Sequence, residues 1–414
     1  MWLPVRRLFR LLLAGQPVPG HVAFIMDGNR RFADQAGVEL LEGHTSGYSK
    51  MVDVIQWCFE LGVPVVSVYA FSIDNFRRGA AEVEGLMRLA ADKFDALMQD
   101  EAARQWGAEL RVLGDLSLAP PGVQAAAARL MRSSAALRDA APPGAPRRLV
   151  NVCFSYTSSE ELGAALGRLR GGLAAWQLLP ADVDAGLVAA ALHTGGPRGG
   201  GSPPVDLVVR TSGEERLSDF LLWQSGGALL QWLPVLWPQL GFLDVLRALR
   251  AWQVVRPALR ALAAAAEEGR ARCGGGGALG DEARWCCSGG AVAGAGAAAC
   301  CGGGGSGSGA CACACACDRG GGAPSAAAPP AAAAAGGAPA LLAAGDRAAS
   351  ASLSAIDEDG PSCAPHPSQQ LRVDDFLRHL EAQRQAWIAA TLDAAAAHAP
   401  GPPGRGAELA APAS

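Results

Sequence analysis

The sequence predicts an α/β domain, in which a central, mostly parallel sheet of about six strands is flanked by helices. Three observations predict this class. Short apolar runs alternate with longer segments whose apolar residues recur at helical spacing. The runs are nearly continuous, which is typical of strands buried on both faces of a parallel sheet. Polar residues collect just after the runs, where open α/β sheets bind their ligands.

The strands follow from the apolar runs. The run VAFIM, Val22 to Met26, ends in Asp-Gly-Asn and predicts a buried strand followed by a tight loop. The run VVSVYAF, Val65 to Phe71, predicts the second strand. Four later runs complete the predicted sheet: ELRVLGDL, RRLVNVCFSY, VDLVVRTSG and ALLQWLP.

The helices follow from the segments between these runs. The first has apolar residues at helical intervals from Met51 to Phe59 and is closed by Gly62. A second, EVEGLMRLAADKFDALM, is long and amphipathic. The predicted helices are Thr45–Leu61, Glu82–Met98, Gln124–Arg138, Ser159–Arg170, Asp182–Leu192 and a closing helix, FLDVLRALRAWQ.

The composition divides the chain into five segments. Residues 1–18 form an amphipathic N-terminal segment, and residues 19–260 form one domain of ordinary size. Residues 261–370 are rich in Ala, Gly and Cys, cannot bury a core and are expected to be a disordered linker. Residues 371–393 predict a C-terminal helix that docks on its own domain or on a partner, before a disordered tail at 394–414.

The N-terminal segment mixes three arginines with large apolar residues, which form a short basic amphipathic stripe on a helix. Such a stripe suits an anionic membrane surface, so we expect peripheral membrane association. A signal or transit peptide is one alternative, although the strand at Val22 leaves little room for a removable presequence. A helix that caps the domain is another. No stretch predicts a transmembrane span, because Gly and Pro interrupt the long uncharged ones.

Charge and cysteine usage argue against other classes of protein. The formal net charge of -4 gives no support to nucleic-acid binding, which usually requires a strongly basic surface. Most of the 12 cysteines lie between Cys273 and Cys317, where the CACACAC run is a weak candidate for a soft metal and fits low complexity better. Cys58 and Cys153 lie in apolar runs and are expected to be small buried side chains in a reducing compartment.

The polar residues after the predicted strands favour a phosphate site. The arginine fork matches phosphate oxygens, and a single Asp beside phosphates commonly holds Mg2+. Gly28 permits close backbone approach, and the helix start behind it offers N–H groups to an anion. No GxxxxGK[ST] and no strand-linked GxGxxG is present, so the pattern predicts displacement of diphosphate rather than kinase or dehydrogenase chemistry. The residues are Asp27, Gly28, Asn29, Arg30 and Arg31 after the first strand, Ser72, Asp74, Asn75 and Arg78 after the second, and Arg210, Arg216 and Ser218 after a late one.

Several motifs, in order, resemble one family. HVAFIMDGNRRFA, GHTSGY, VYAFSIDNFRR, EVEGLM, RVLGD and DLVVRTSGEERLSDFLLWQ, followed by VLWP, are similar to undecaprenyl diphosphate synthase-like cis-prenyltransferases, above all the eukaryotic dehydrodolichyl diphosphate synthase type. The resemblance covers residues 19–253 and, weakly, the final helix. It implies an enzyme that condenses isopentenyl diphosphate with farnesyl diphosphate, or a similar allylic diphosphate, to a long-chain polyprenyl diphosphate for dolichol synthesis and protein glycosylation. A shorter-chain synthase, a non-catalytic accessory subunit of the same fold and a phosphatase are the alternatives.

The resemblance also implies roles for individual residues. Asp27 would be the essential carboxylate that handles Mg2+, and Ser72 and Asn75 would assist proton loss from isopentenyl diphosphate. The growing chain would enter an apolar tunnel between the sheet and the helices at 51–61 and 82–98. The substrate-binding residues that it implies are Gly28, Asn29, Arg30, Arg31, Phe32, His44, Asp74, Phe76, Arg78, Arg210, Arg216 and Ser218. Ser72 and Asn75 could instead cap a helix, and His44 could be a hydrogen-bonding residue at a helix start.

Two positions depart from the family's pattern. Many members have an Arg, a further ligand of the allylic diphosphate, at the position of Leu40. Bacterial homodimers have a Glu that serves the metal at the position of Leu229. The chain also has no clear RxG motif at its end, since Arg405 and Gly406 lie in a Pro/Gly tail. The resemblance therefore implies a heteromer with a Nogo-B receptor-like accessory subunit, or else a homodimer, on the cytoplasmic face of the endoplasmic reticulum; the cytosol and the plastid are alternative locations.

Overall fold

The structure is a computed structural model, and it describes residues 16–139, 147–197, 200–274 and 367–398. The predicted basic stripe, the cysteine-rich tract from residue 275 onward and nearly all of the tail lie outside these ranges. Within them, no helix combines the length and the apolar character that crossing a membrane requires.

Six strands form one sheet in the order β3-β4-β2-β1-β5-β6. Every pairing between these strands is parallel, which confirms the predicted sheet. The central strand β1 lies between β2 and β5, so the carboxyl ends of these three strands meet at one edge. The bounds are β1 His21–Ile25, β2 Val65–Ser72, β3 Ala108–Leu113, β4 Arg148–Tyr156, β5 Leu207–Arg210 and β6 Leu229–Trp232.

Nine helices belong to the described residues. Their bounds are α1 Asn29–Ala36, α2 Leu40–Glu60, α3 Ala80–Gln99, α4 Glu101–Gln105, α5 Pro121–Asp139, α6 Ser158–Ala174, α7 Ala185–Ala191, α8 Phe242–Gly274 and α9 Pro367–Ala397. Local chemistry sets several ends. Gly62, with a φ of 92°, turns the chain after α2. The side chains of Thr157 and Asp184 accept hydrogen bonds from backbone N–H groups in the first turns of α6 and α7.

The boundaries of the two outer segments differ from the expected ones. Helix α8 continues past residue 260, the expected end of the domain, as far as Gly274. Ala, Leu, Arg and Glu dominate this stretch, and all four favour helices even where no core is buried. Helix α9 spans 367–397 rather than 371–393, so it also includes part of the expected linker and part of the expected tail.

The buried core lies on both faces of the sheet. The main cluster packs the apolar side of α2, α3 and α5 against the strands, and a smaller one surrounds Tyr156 and Phe220. Cys58 and Cys153 are fully buried free thiols, as expected. Burial raises the pKa of the Cys58 thiol to about 12, so this side chain stays an unreactive apolar group at neutral pH.

The C-terminal helix docks on its own domain, one of the two expected modes. Phe376 and Leu377 of α9 are buried in a cluster with α6 and α7. Arg372 makes a two-pronged ion pair with the buried carboxylate of Asp182, with distances of 2.8 and 2.9 Å. Since residues 275–366 separate α8 from α9, this contact joins the far end of the chain to the domain.

Candidate active site

Asp27 lies at the centre of the polar edge, two residues after the end of β1. Its Oδ2 accepts a hydrogen bond of 2.8 Å from Nη2 of Arg210, the last residue of the neighbouring β5. Its backbone oxygen accepts bonds from Thr211 Oγ1, at 2.6 Å, and from the Trp237 N–H, at 3.0 Å. The Asp27 carboxylate is therefore held in place while its side chain remains 30% exposed.

Arg210 ties the strand end to the loop that follows it. Its side chain is only 4% exposed. Nη1 donates to Ser218 Oγ at 2.7 Å and to the backbone oxygen of Arg216 at 2.5 Å. Because one rigid guanidinium contacts Asp27 and both loop residues, it fixes the loop relative to the carboxylate.

Arg31 reaches the same group from the first turns of α1. Its Nη2 donates to Ser212 Oγ at 2.6 Å and lies 4.0 Å from Asp27 Oδ1. Glu214 forms ion pairs with both Arg31 and Arg216. Asp27, Arg31, Arg210, Arg216 and Ser218, five of the predicted site residues, therefore form one connected cluster with Ser212 and Glu214.

The loop after β1 depends on close backbone contacts. Gly28 has a φ of 112°, and a Cβ at this position would lie 3.0 Å from a side-chain atom of Leu236. Glycine is therefore required both by conformation and by space. Asn29 packs so closely against α2 that added Cβ atoms at Gly43 and Gly47 would meet its atoms at 2.7 and 2.3 Å. Its Oδ1 is buried and has no hydrogen-bond partner within the described chain, so it can accept one from a ligand.

A second group surrounds His44 on α2. Burial and the charges of Arg78 and Arg30 lower the pKa of His44 to about 4, against a smaller opposite effect of Glu82. The imidazole is neutral at pH 7, and its buried Nε2 has no hydrogen-bond partner among the described residues. Arg78 itself pairs with Glu82 at 3.0 Å. The structure therefore brings His44, Arg30 and Arg78 into one electrostatic environment.

Ser72 and Asn75 form a capping box at the start of a short 3-10 turn, Ile73–Arg77. Ser72 Oγ accepts from the Asp74 N–H at 3.2 Å, and Asn75 Oδ1 accepts from the Ser72 N–H at 3.1 Å. The capping alternative is thus confirmed as their structural role, and it leaves a catalytic role as a prediction. Asp74 is exposed beside Arg77, whereas Phe76 packs edge-on against Phe71. Phe32 lies half-buried in α1.

The loop after β5 has strained backbone. Ser212, Ser218, Asp219 and Leu221 have φ values between 46 and 73°, a region that residues other than glycine rarely adopt. Asp219 anchors it at the start of α6, because its carboxylate accepts from the Ser159 N–H at 3.1 Å. Neither the strain nor the anchor was anticipated, since residue 219 is far from α6 in sequence and has no local motif that indicates the contact.

Tyr69 of β2 packs against the same loop after β5. Its ring stacks on Phe220 with centroids 4.5 Å apart, and its hydroxyl lies 3.2 Å from the backbone oxygen of Ser218. The loop that presents Ser218 is therefore held by β2, β5 and α6 together. Tyr69 was also not predicted as a site residue, because it lies inside an apolar strand.

The Asp27 group fits a metal ion that a substrate helps to hold. No cluster of three or more His, Cys, Asp or Glu side chains in the described ranges is placed to bind one. Mg2+, however, commonly takes one or two carboxylates and completes its shell with phosphate oxygens and water. The partly exposed Asp27 carboxylate, surrounded by arginines, fits that use.

Leu40 and Leu229, the two departures from the family's pattern, lie at the starts of two different elements. Leu40 is the first residue of α2, and it removes a charge from the region next to α1. Leu229 lies at the amino end of β6, paired with Leu207, and packs against the main core. Trp232, not Leu229, lies level with Arg210 at the carboxyl end.

Comparison with known proteins identifies the family to which the chain is similar. A prenyltransferase family model, described as undecaprenyl diphosphate synthase, matches residues 25–257. The human dehydrodolichyl diphosphate synthase complex subunit is 41% identical over 59% of this chain and 69% of that protein. A tritrans,polycis-undecaprenyl-diphosphate synthase (geranylgeranyl-diphosphate specific) of Methanopyrus kandleri is 35% identical over 60% of this chain and 89% of its own length. The solved structure of lavandulyl diphosphate synthase from Lavandula x intermedia, in complex with dimethylallyl diphosphate, is 28% identical with a TM-score of 0.50, and the match covers 57% of this chain and 95% of that one.

Proposed function

Because the chain belongs to the undecaprenyl diphosphate synthase-like prenyltransferase family, we propose that it lengthens farnesyl diphosphate, or a similar allylic diphosphate, with isopentenyl diphosphate units. The enzyme is a cis-prenyltransferase of the polyprenyl diphosphate synthase type. We propose a long-chain product that serves dolichol synthesis. The observation that carries the proposal is the cluster in which Arg210 joins Asp27, Arg216 and Ser218 at one edge of the sheet.

The arginines would bind the two diphosphates. We propose that Arg30 and Arg31, with Gly28 and the start of α1, bind the allylic diphosphate. Arg210, Arg216 and Ser218 would bind isopentenyl diphosphate. In each addition the allylic carbon–oxygen bond breaks and diphosphate leaves, C4 of isopentenyl diphosphate forms the new carbon–carbon bond, and a proton leaves its C2 so that a double bond forms between C2 and C3. The guanidinium charges stabilise the departing diphosphate.

The partly exposed Asp27 would hold Mg2+ against a substrate diphosphate. When bound, this ion would neutralise negative charge on the diphosphate oxygens. Arg210 orients the Asp27 carboxylate, and the hydrogen bonds that the Asp27 backbone oxygen accepts from the Thr211 hydroxyl and the Trp237 N–H keep the strand end rigid. Ser72 and Asn75, already fixed by their mutual capping bonds, are proposed to assist proton removal.

The growing chain would lie against the apolar side of α2 and α3. Phe71, Phe76, Phe94 and Phe154 form a group of aromatic rings between these helices and the sheet, with neighbouring centroids 4.9 to 5.6 Å apart. Phe76 is only partly buried, and it connects this group to the capped turn after β2. A prenyl chain that entered past Phe76 would exchange water for apolar contacts, which favours elongation.

We further propose that an accessory subunit of the same fold completes the site, and that the enzyme works at the cytoplasmic face of the endoplasmic reticulum. The support is the similarity to the human dehydrodolichyl diphosphate synthase complex subunit, which is named as part of a complex. A homodimer remains the second possibility.

The test is incorporation of labelled isopentenyl diphosphate into extractable lipid, with farnesyl diphosphate and Mg2+, by the full chain with and without a candidate partner. Asp27→Ala should abolish incorporation. Asp34→Ala, which removes an exposed carboxylate seven positions away on α1, should leave it unchanged. Equal losses in both variants, or no incorporation by the wild-type pair, would contradict the proposal.

A further inference from the structure

A cavity of about 410 Å3 lies beside the edge strand β3, three strands away from the β1 strand that carries Asp27. It opens at the carboxyl end of the edge strand β3, between α6, α7 and the C-terminal helix α9. Since β4 and β2 separate β3 from β1, the cavity is about 14 Å or more from Asp27 at the usual strand spacing. None of the predicted site residues lines it. The carboxyl ends of strands are the usual ligand sites of such sheets.

Three arginines from three elements line this cavity: Arg111 of β3, Arg168 of α6 and Arg384 of α9. Each is held by contacts of its own. Arg168 Nη1 donates to the backbone oxygen of Ala191 at 2.7 Å, and Arg384 Nη2 donates to that of His193 at 3.1 Å. The guanidiniums are thus fixed before any ligand arrives, which lowers the entropic cost of binding one.

One nitrogen of the Arg111 guanidinium makes no hydrogen bond within the described residues. Its side chain is only 9% exposed, with Nε bound to Glu109 at 2.7 Å and Nη2 bound to the backbone oxygen of Gly200 at 2.7 Å. Its Nη1, although buried, has no hydrogen-bond partner among the described residues. The same is true of two other lining atoms, His193 Nδ1 and Glu160 Oε2. Buried polar groups are rarely left without partners, so their convergence on one cavity indicates a polar ligand.

The charges that face the cavity favour an anion. Burial, together with Arg168 and Arg384, lowers the pKa of His193 to about 3, so the ring is neutral. Burial and repulsion from Arg111 and Arg168 lower the pKa of Arg384, despite the pair with Glu381. Repulsion among cations is relieved by a negative ligand.

The acidic groups balance much of the arginine charge, but several of their oxygens already accept hydrogen bonds within the protein. Glu109 and Glu381 are each paired with one of the arginines. Asp115 accepts hydrogen bonds from the backbone and the hydroxyl of Ser117. Burial and Asp115 raise the pKa of Glu160 to about 7, so near neutral pH its carboxyl is partly protonated and can donate to an anion. The lining therefore offers more donors than acceptors.

We propose that this cavity is a second ligand site, separate from the active site, that binds a small phosphate-type oxyanion, either inorganic phosphate or diphosphate. Phosphate oxygens are numerous enough to bond to Arg111, Arg168 and Arg384 together, whereas a carboxylate has only two. The bound anion links α9 to the sheet edge, because Arg384 belongs to α9 and Arg111 to β3.

The test uses fluorine NMR of the full chain labelled with fluorotryptophan. Trp387 of α9 lines the cavity, and its signal is assigned with Trp387→Phe. Phosphate and diphosphate are titrated separately, and at least one should shift this signal saturably. Arg384→Gln and Arg168→Gln should each weaken binding roughly tenfold or more, as expected for one charge-assisted bond.

The matched control is Arg378→Gln on the same helix, where the arginine is 64% exposed and pairs with Asp375. This variant should bind as the wild type does. Diphosphate that binds at the active site is recognised by its effect on Trp237, which contacts Asp27 and should respond equally in all variants. The proposal is overturned if neither anion moves the Trp387 signal at millimolar concentration. An equal shift in wild type, Arg384→Gln and Arg168→Gln overturns it as well.

Discussion

Arg210 is the residue on which the site geometry depends most directly. One nearly buried side chain contacts Asp27, Ser218 and the backbone of Arg216. Lysine keeps the positive charge but presents a single ammonium group without the fork, so it cannot reach three partners in the same geometry.

Arg210→Lys should therefore lower kcat/KM for isopentenyl diphosphate by roughly tenfold or more, the equivalent of one charge-assisted hydrogen bond. Steady-state kinetics measure the effect. Arg247→Lys, on an arginine that is 74% exposed and pairs with Asp244, is the control and should change nothing. A full-activity Arg210→Lys enzyme would show that only charge matters at this position.

The loop between β5 and β6 is the element that most needs outside support. Its residues with positive φ are stable only because Tyr69, Arg210 and the start of α6 hold them. Asp219 is the anchor at α6, through its carboxylate to Ser159 and its backbone oxygen to the Ser158 N–H at 2.7 Å.

Asp219→Ala should raise KM for isopentenyl diphosphate more than it lowers kcat, because it loosens the loop that presents Ser218. Alanine loses the carboxylate contact and tolerates the left-handed conformation poorly. Asp219→Asn keeps an acceptor and tolerates that conformation, so it should restore most of the affinity. The kcat and KM values of the two variants decide the matter, and equal losses in both would refute a positioning role for Asp219.

Helix α9 is held to the domain by the two-pronged ion pair of Arg372, by the hydrogen bond from Arg384 to His193, and by apolar side chains in two clusters. Arg372 lowers the pKa of Asp182, so the contact is strongest when Asp182 is ionised and is lost as pH falls below the ordinary range of an aspartate. Arg372→Ala should make α9 more susceptible to limited proteolysis at neutral pH. Arg378→Ala on the same helix should not, and equal cleavage of both variants would show that the pair is dispensable.

The sequence predicted these elements unevenly, for physical reasons. Periodicity located the parallel strands, and parallel strands bring their carboxyl ends together, so the meeting of Asp27 with Arg210 could be predicted. The anchor of Asp219 on α6 and the stack of Tyr69 on Phe220 depend on tertiary packing, which has no local signal. The cavity beside β3 could not be predicted either, since its three arginines belong to elements far apart in the chain.

At the scale of the whole molecule, three histidines among the described residues give stability a common pH dependence, because burial perturbs each of them. Burial lowers the pKa of His21 and His44 from 6.5 to about 4 and that of His193 to about 3. Between pH 6.5 and about 4 the unfolded chain therefore binds more protons than the folded chain. The free energy of unfolding therefore increases as pH rises through this window and decreases as pH falls through it.

Urea unfolding at several pH values measures the slope of the free energy of unfolding against pH. This slope is about 1.4 kcal/mol per pH unit for each additional proton that the unfolded chain binds. Glu160 acts in the opposite direction between about pH 4.5 and 7, because its pKa is raised from 4.5 to about 7 and the folded chain binds more protons there, so this carboxyl subtracts from the histidine effect. His44→Gln should reduce the slope between pH 6.5 and 4 without altering it above pH 7. An unchanged slope would mean that His44 is already accessible to protons in the folded state.

The neighbouring strands β1 and β5 also set the order in which the protein can mature. Asp27 and Arg210 are separated by 183 positions, yet they occupy adjacent strands. A ribosome releases β1 early, but this strand has no β5 to pair with until most of the domain has been synthesised. Contacts of such long sequence separation form slowly, because closing the intervening chain costs entropy first. A nascent chain that stops before β5 cannot assemble its diphosphate-binding edge, so catalytic competence arrives with the last strands to be translated.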